Sequence, residues 1–236
     1  MRTFAFAVLL AGVLGAAQTD EFSTSAGPVK ITPIQHASFM IEAGGKVIHV
    51  DPSGPQNFEG APAADLILLT DIHGDHLDAA AMQKVLKTGT AIFAPPAAIE
   101  KVPAAKPIKN GQAVDWDGWK IEAIPAYNMQ RGPSPGKFYH EKGRGNGYVM
   151  TYGGKRFYIA GDTEAIPEMK ALKDIDVAFV PMNLPYTMTP EEAAEAVRAF
   201  RPKVVYPYHY RNSDLKAFES ALAGTGVDVR LRDWYK

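Results

Sequence analysis

The chain has 236 residues, with 25 Lys and Arg, 26 Asp and Glu, six His and no Cys, which fits one globular domain or a pair of similar halves. Its 46% apolar and 22% charged residues exclude intrinsic disorder, collagen-like repeats and a polytopic membrane protein. The net charge of −1 argues against a nucleic-acid-binding protein, because no basic excess remains to neutralise phosphates. Without Cys, any bound zinc must be held by nitrogen and oxygen atoms.

The N-terminal segment differs from the rest of the chain. Arg2 gives it a positive start, residues 4–14 form an apolar run, and residues 15–17 are small. This pattern predicts a signal peptide over residues 1–17 and therefore an exported protein, either periplasmic or secreted. The apolar run is shorter than the roughly 20 residues that span a bilayer, so no stable membrane span is expected after cleavage.

Two further boundaries follow from composition. Residues 18–27 are polar and small, which predicts a flexible leader, and residues 28–236 are predicted to form one domain. Short apolar runs in that domain are separated by Gly and Pro and alternate with helical stretches, as is typical of an α/β or α+β fold.

An internal repeat divides the domain. Residues 39–51 and 148–162 each have the pattern of a strand, a Gly-Gly-Lys turn, a second strand and a final Asp. Each is followed by a further apolar strand, at residues 66–70 and 177–181. The chain is therefore predicted to consist of two similar halves.

Helices are predicted at residues 79–88, 190–200 and 215–222. The side chains expected to cap their N-termini are Asp78, Thr189 and either Ser213 or Asp214. Between residues 127 and 147 the sequence is too rich in Gly, Pro and charge for a regular element, and a loop of this length is usually functional.

The chemically most informative segment follows the strand at residues 66–70. Asp71, His73, Asp75 and His76 provide four potential ligands within six residues. The first three alternate, so an extended or tightly turned segment would direct them to one side. Carboxylates next to neutral imidazoles favour a bound cation, because they supply negative charge and nitrogen lone pairs together. The segment therefore predicts a metal site.

Two more candidate ligands occupy the same kind of position. Asp162 follows an apolar strand at residues 156–160, and His209 follows another at residues 204–208. Open α/β sheets build their sites at the carboxyl ends of strands. Alone, Asp162 could be a turn residue and His209 a core histidine, but together they support the metal site.

These motifs resemble the metallo-β-lactamase superfamily, whose signature is H-x-H-x-D-H after a strand. The resemblance covers residues 29–236, and residues 36–38, 51–52, 161–163 and 208–210 are most similar to the branch of ascorbate-phosphate lactonase-like and N-acyl-phosphatidylethanolamine phospholipase D-like proteins. It implies a four-layer αββα sandwich of two similar halves, with a two-metal site between the sheets.

The resemblance also implies roles for individual residues. His73 would bind the first metal, Asp75, His76 and His209 the second, and Asp162 would bridge the two. Asp75 and Asp162 are the implied catalytic residues. Zinc is the first expectation for both ions.

Two departures from the family pattern affect the first metal. Asp71 stands where the motif has its first His, and Asn128 stands where many relatives have a His. The first site would then consist of Asp71, His73, Asp162 and optionally Asn128. Its larger share of oxygen ligands favours Mn²⁺ or Fe²⁺ there, or weaker binding.

Three other residues are candidates for supporting roles. His140, in the long loop, is predicted either to contact substrate or to replace the missing ligand, with an ordinary solvated histidine as the alternative. His36 is a candidate hydrogen-bond donor or pocket residue beside the ligands, and Asp51 a candidate for orienting a ligating imidazole.

The sequence as a whole predicts a metal-dependent hydrolase. Two cations would lower the pKa of a coordinated water and deliver hydroxide to an ester, lactone, amide or phosphodiester. A small-molecule substrate is expected, and the loop cations Arg131, Lys137, Lys142 and Arg144 favour an anionic one. The alternatives are a metal-binding module of this fold without turnover and a mononuclear-iron redox enzyme.

Overall fold

The computed structural model describes residues 18–235, which form two seven-stranded mixed sheets. The strands of the first sheet lie side by side in chain order: β1 (Asp20–Thr24), β2 (Gly27–Gln35), β3 (Ser38–Ala43), β4 (Lys46–Val50), β5 (Leu66–Leu68), β6 (Ala91–Ala94) and β7 (Lys106–Pro107). The second sheet contains β8 (Ala113–Trp116), β9 (Trp119–Ala126), β10 (Gly145–Tyr152), β11 (Lys155–Ile159), β12 (Val177–Pro181), β13 (Val204–Tyr208) and β14 (Asp228–Val229).

The two sheets have the same internal pairing. In each, the first four strands are antiparallel neighbours and the last four are parallel neighbours. The two Gly-Gly-Lys turns connect β3 with β4 and β10 with β11. The predicted division into two similar halves is therefore confirmed.

Within the described part of the chain, four α-helices accompany the sheets: α1 (Ala79–Val85), α2 (Pro167–Lys170), α3 (Pro190–Phe200) and α4 (Leu215–Ala221). The predicted N-caps Asp78 and Thr189 accept backbone hydrogen bonds at α1 and α3, and Asp214 caps α4. The first helix ends earlier than predicted, at Val85, because Leu86 already has extended backbone.

Successive side chains of strand β5 pack into two different layers of the fold. Leu66 and Leu68 belong to the main core, which holds buried residues of both sheets, whereas Ile67 belongs to a smaller core with the buried face of α1. The aromatic rings of Phe39 and Phe179, one from each sheet, stack with centroids 4.4 Å apart. Helix on sheet and sheet on sheet give the predicted αββα sandwich, which is confirmed.

The prediction of a flexible leader over residues 18–27 is wrong for most of that segment. Residues 20–24 form β1, which pairs antiparallel with β2. The ring of Phe22 packs against Phe157 at 6.0 Å, and Asp20 forms ion pairs with Arg230 and Arg232. The strand was not predicted because Phe22 is its single apolar residue among polar ones. The side chains that β1 contacts, such as Phe157 and Arg230, are distant in sequence.

We expect Asp20→Asn to lower the free energy of unfolding at pH 7 by about 1 to 2 kcal/mol, since it removes the negative charge and one of the two oxygens that accept hydrogen bonds from two guanidinium groups. Burial alone would raise the pKa of Asp20, but Arg232, Tyr206 and Arg230 hold it below its usual value of 3.8. A carboxylate with a lowered pKa stabilises the fold above its unfolded pKa and loses that contribution as pH falls. The difference between wild type and variant in denaturant unfolding should therefore begin to shrink below about pH 4 and vanish at lower pH, and the exposed control Asp115→Asn should leave the free energy of unfolding at pH 7 almost unchanged.

The predicted irregular loop ends earlier than the sequence suggested. Residues 145–147 are the first residues of β10 and pair with β9, so the loop covers residues 127–144. Gly147 is required there by close packing, because a Cβ atom would lie 2.8 Å from the carbonyl oxygen of Ala160. Its glycine therefore indicates a crowded strand rather than a loop.

The predicted signal peptide, residues 1–17, lies outside the described residues. In residues 18–235, no helix has the length and apolar character required for a bilayer span.

Candidate metal centre

The residues predicted as metal ligands all follow strand ends at one edge of the sandwich. Asp71, His73, Asp75 and His76 come shortly after β5, Asp162 after β11 and His209 directly after β13. His36 and Asp51 directly follow β2 and β4. The structure brings these eight residues of both halves together around one centre.

The first group of donors contains Asp71, His73 and His140, whose ligand atoms lie within 4.8 Å of one another. The Nδ1 atom of His73 is 2.8 Å from Oδ2 of Asp71. The Nε2 atom of His140 is 3.0 Å from Oδ2 of Asp162, which adds a second carboxylate. We name these four residues the first cluster.

Asn128 supports this cluster through His140. Its Oδ1 atom accepts hydrogen bonds from both the backbone N–H and the Nδ1 atom of His140, each at 2.8 Å. Its Nδ2 atom donates to Glu164 and to the backbone carbonyl of Tyr186. Of the two loop candidates, His140 therefore presents a donor atom to the centre, and Asn128 orients it.

Glu164 is a supporting residue that sequence reasoning missed. Its buried carboxylate accepts backbone N–H groups from Met129, Gln130 and Arg131, in addition to the amide of Asn128. These bonds fix the start of the long loop. The only sequence signal was its position directly after the Gly-Asp-Thr segment, which does not reveal partners more than 30 residues away.

The second group of donors contains His76, Asp162 and His209, again within 4.8 Å. Nε2 of His76 lies 3.2 Å from Oδ2 of Asp162, and Nε2 of His209 lies 3.4 Å from Oδ1 of the same carboxylate. Oδ2 of Asp75 is also 3.4 Å from His209. We name these four residues the second cluster; Asp162 belongs to both clusters.

His36 flanks the second cluster. Its Nε2 atom is 3.1 Å from Oδ2 of Asp75, and its ring lies 3.7 Å from that of His209. With φ angles of 55° and 50°, His36 and His209 both adopt the left-handed backbone conformation that is uncommon outside glycine. Burial lowers the pKa of His36 to about 4, although the carboxylate of Asp75 opposes this shift.

Asp51 holds His76 from behind. The fully buried carboxylate accepts hydrogen bonds from Nδ1 of His76 at 2.8 Å and from the Thr70 hydroxyl at 2.5 Å and backbone N–H at 2.7 Å. Because Nδ1 of His76 is engaged here, its Nε2 atom is left to face Asp162. This is the arrangement typical of a carboxylate that orients a metal-binding imidazole.

The donor atoms are better placed to bind a cation than to form hydrogen bonds with one another. The backbone N–H that Asn128 accepts identifies its Oδ1 as an acceptor, so Nδ1 of His140 donates to it and Nε2 is the ring atom that faces Asp162. A ring nitrogen 3.0 Å from a buried carboxylate oxygen requires a positive charge, from a proton or a metal ion, between the two atoms. In addition, Oδ1 of Asp162 and both ring nitrogens of His209 are buried without a hydrogen-bond partner within residues 18–235.

The pKa shifts also indicate that the buried carboxylates of the site favour a positive charge next to them. Burial opposes charge on both His76 and Asp162, yet Asp162 and Asp51 raise the pKa of His76 well above its usual value. His209, His76 and His140 in turn lower the pKa of Asp162 well below its usual value. A bound cation would supply the positive charge that protons otherwise provide, so metal binding should release protons.

The predicted basic loop is largely neutralised by partners within the protein. Arg131 pairs with Glu192, Lys142 pairs with Glu168, and Arg144 approaches Asp71 at 3.3 Å. These three cations are therefore engaged and give no support to the idea that the loop attracts an anionic substrate. Arg144 instead forms an ion pair with a carboxylate of the first cluster.

A cleft of about 350 Å³ opens over both clusters. The donors that line it are His73, Asp75, His140, Asp162 and His209, and Tyr139, Tyr186 and Arg211 complete the lining. Such a concave site with convergent polar groups is typical of small-molecule binding.

Comparison with known proteins gives consistent results. The fold and the donor set define a metallo-β-lactamase-like protein, and a family model described as "Beta-lactamase superfamily domain" matches residues 30–209. A UPF0173 metal-dependent hydrolase of Thermococcus onnurineus is 36% identical over 201 residues, covering 77% of this chain and 84% of that protein. A UPF0173 metal-dependent hydrolase of Pelotomaculum thermopropionicum is 33% identical over 224 residues, covering 86% of this chain and 96% of that protein.

Solved structures agree. A crystal structure of a protein from Parabacteroides distasonis, named as a metal-dependent hydrolase, has a TM-score of 0.88 and 46% identity and covers 93% of this chain and 100% of that one. The metallo hydrolase Igni18 of Ignicoccus hospitalis has a TM-score of 0.73 and 25% identity and covers 88% of this chain and 96% of that one. The chain therefore belongs to the β-lactamase superfamily and, within it, to the UPF0173 metal-dependent hydrolases. The predicted superfamily and enzyme class are confirmed.

We expect His140→Ala to abolish metal binding at the first cluster and to spare the second, because it deletes a nitrogen donor of the first cluster. Asn128→Ala should weaken the same ion by about 10- to 100-fold, since it acts only by orienting the ring. Titration of the metal-free variants with Zn²⁺, followed by calorimetry, measures both effects. His49→Gln, a change in a buried histidine whose ring bonds to the Pro62 carbonyl, is the matched control. Equal loss of both ions in His140→Ala would contradict this assignment.

Proposed function

We propose that the protein is a hydrolase that binds two divalent cations, one in each cluster, and cleaves an ester, lactone, amide or phosphodiester bond. The observation that supports this most directly is the position of Asp162. Its Oδ2 atom lies 3.0 Å from His140 of the first cluster, and its Oδ1 atom lies 3.4 Å from His209 of the second. One carboxylate between two sets of imidazoles is suited to bridging two ions.

When bound, such a pair of cations activates water and stabilises the oxyanion that forms during hydrolysis. The chain's own groups then have distinct tasks. Asp162 would hold both ions, while Asp75, about one-third exposed and lining the cleft, would accept a proton from the attacking water. His36 keeps the Asp75 carboxylate in place through the 3.1 Å contact.

We propose that the first cluster binds its ion less tightly. With His140 included, each cluster offers two imidazoles and two carboxylates, so the count of nitrogen donors does not separate them. The difference is Arg144, whose guanidinium shares the Asp71 carboxylate. A cation there must compete with this positive charge, whereas the second cluster has the added support of Asp51. We propose zinc in the second cluster and zinc, Mn²⁺ or Fe²⁺ in the first.

Elemental analysis combined with an activity screen tests this function. Protein purified without chelator should contain two metal ions per chain, and dialysis against a chelator should remove the first-cluster ion before the other. Hydrolysis of a lactone, a nitrophenyl ester, nitrocefin or bis(4-nitrophenyl) phosphate should be lost on chelation and restored by Zn²⁺ or Mn²⁺. Turnover that resists chelation, or iron-dependent oxygen uptake without hydrolysis, would contradict the proposal. Two equally tight zinc ions would contradict the order of affinities.

We also propose that residues 1–17 direct export, on the basis of their charge and apolar pattern alone. Expression of the full chain followed by cell fractionation should give a mature periplasmic or secreted protein that begins at Gln18. Retention of Met1 on a cytoplasmic protein would overturn this proposal.

A further inference from the structure

We propose that Arg211 binds an oxyanion of the substrate, a carboxylate or a phosphate, and that Tyr139 and Tyr186 pack against an apolar part of the same molecule. This inference rests on the proposed hydrolytic function and specifies its substrate class. The substrate would be a small molecule with an apolar arm on one side of the scissile bond and an anionic arm on the other.

Arg211 lines three adjoining cavities. Besides the cleft above the clusters, it lines a neighbouring cavity of about 310 Å³, which shares Asp75 with the cleft, and a further cavity of about 440 Å³ that contains Leu184 and Glu191. The neighbouring cavity is lined largely by polar groups, among them Gln35, Ser53 and Gln56. A polar extension of the cleft, entered past an arginine, suits a charged or strongly hydrated group rather than an alkyl chain.

The guanidinium of Arg211 is available to a ligand. Its side chain is exposed, and no carboxylate within residues 18–235 lies within the 4.0 Å that defines an ion pair. Arg131 and Arg144, the other arginines near the cleft, are each paired with an acidic side chain. An unpaired arginine next to a metal centre is a suitable partner for a planar carboxylate or a phosphate.

The backbone holds Arg211 in this place. Its φ angle of 42° lies in the left-handed region, which is strained for a residue other than glycine. The backbone N–H donates to the hydroxyl of Tyr235 at 2.7 Å, and the same hydroxyl contacts Nδ1 of His36. The arginine is therefore tied to the group that flanks the second cluster, so a bound anion would lie on that side of the centre.

Another part of the cleft is apolar. The rings of Tyr139 and Tyr186 meet edge to face with centroids 4.9 Å apart, in the part of the cleft next to His140. The large apolar side chains that stay exposed in residues 18–235 all lie in the two loops that contain these tyrosines: Met129, Phe138, Leu184 and Tyr186. Their concentration there, rather than scattered over the surface, is typical of a binding surface.

Matched esters test the anion site directly. The holoenzyme, loaded with Zn²⁺, is assayed with 4-nitrophenyl pentanoate, with mono-4-nitrophenyl glutarate and with 4-nitrophenyl 4-phosphonobutanoate. The ratio of kcat/KM for an anionic ester to that for the neutral ester should fall about 10- to 100-fold in Arg211→Met and less in Arg211→Lys. The ester with the larger loss identifies carboxylate or phosphate as the preferred group. Arg201→Met, which removes an exposed arginine at the end of α3, should leave the ratio unchanged.

The apolar side has its own readout. In Tyr186→Ala, the kcat/KM ratio between monobenzyl glutarate and monomethyl glutarate should fall about tenfold, because the aromatic arm on the other side of the scissile bond from the anion loses its contact surface. An unaltered ratio in this variant would refute the apolar arm, and an unaltered anion ratio in Arg211→Met would refute the anion site.

Binding without turnover separates this inference from the proposed function. Calorimetric titration of the Zn²⁺-loaded protein with glutarate and with 4-phosphonobutanoate should show binding of at least one, weakened about 10- to 100-fold in Arg211→Met. If no ester is cleaved but this binding pattern holds, the hydrolytic proposal fails and the anion site stands. If esters are cleaved and Arg211→Met binds both anions like the wild type, the anion site fails alone.

Discussion

Asp162→Ala is expected to leave the protein with at most one tightly bound ion and to lower metal-dependent kcat/KM by roughly 10³-fold. Both clusters use this carboxylate, so its removal takes one donor from each. It also removes the negative charge that would reduce the repulsion between the two cations. Elemental analysis and metal titration by calorimetry measure the first effect, and a chelation-sensitive hydrolase assay measures the second. Far-ultraviolet circular dichroism and thermal melting of the metal-free protein establish that the variant still folds.

Two comparisons keep this prediction specific. Asp162→Asn preserves the volume but removes the charge, and it should lose nearly as much activity as the alanine variant. Asp228→Asn, in an exposed ion pair with Arg230, should keep the wild-type metal content and activity. If Asp162→Ala retained two ions and full turnover, the proposed bridging role would be incorrect.

Asp51→Ala is expected to have the largest effect on stability, about 3 kcal/mol of unfolding free energy, in the metal-free protein. The buried carboxylate is the acceptor for His76 and for two groups of Thr70, all of which would lose their partner. The same change should weaken the second-cluster ion about 10- to 100-fold, because His76 would no longer be held in one orientation. Denaturant unfolding and zinc titration measure the two effects separately.

A suitable control is Glu59→Ala, which removes an exposed carboxylate paired with Lys84 in the same half. Its cost should stay below about 1 kcal/mol, because exposed ion pairs contribute little. A stability loss in Asp51→Ala no greater than that of the control would show that the buried network is not a major source of stability. Unchanged zinc affinity would instead limit Asp51 to a structural role.

Much of the fold could be predicted because its local signals agree with its tertiary structure. The Gly-Gly-Lys hairpins, the capped helix α3 and the apolar strands each follow from patterns within about a dozen residues. Strand β1 could not be predicted in this way, since its ion partners Arg230 and Arg232 are more than 200 residues away. Its neighbour β2 supplies hydrogen bonds that do not depend on side-chain identity.

Part of the site could likewise be predicted from the sequence. Side chains that follow strand ends, such as Asp162 and His209, could be grouped because parallel strands bring their carboxyl ends to one edge. The choice between Asn128 and His140 could not be made, because it depends on how the loop folds back on itself. Arg144 was assigned to substrate attraction for the same reason: nothing in the sequence shows that it reaches Asp71.

The division of the donors between the two halves has a consequence for folding. Asp71, His73, Asp75 and His76 belong to the first sheet's half, whereas His140, Asp162 and His209 belong to the second. Neither half alone contains a complete cluster, so every bound ion would join one half to the other across their interface. Metal uptake would then favour the docked arrangement by mass action, much as a ligand tightens the association of two subunits. Loss of metal would remove this contribution and leave the shared hydrophobic core as the main attachment between the two halves.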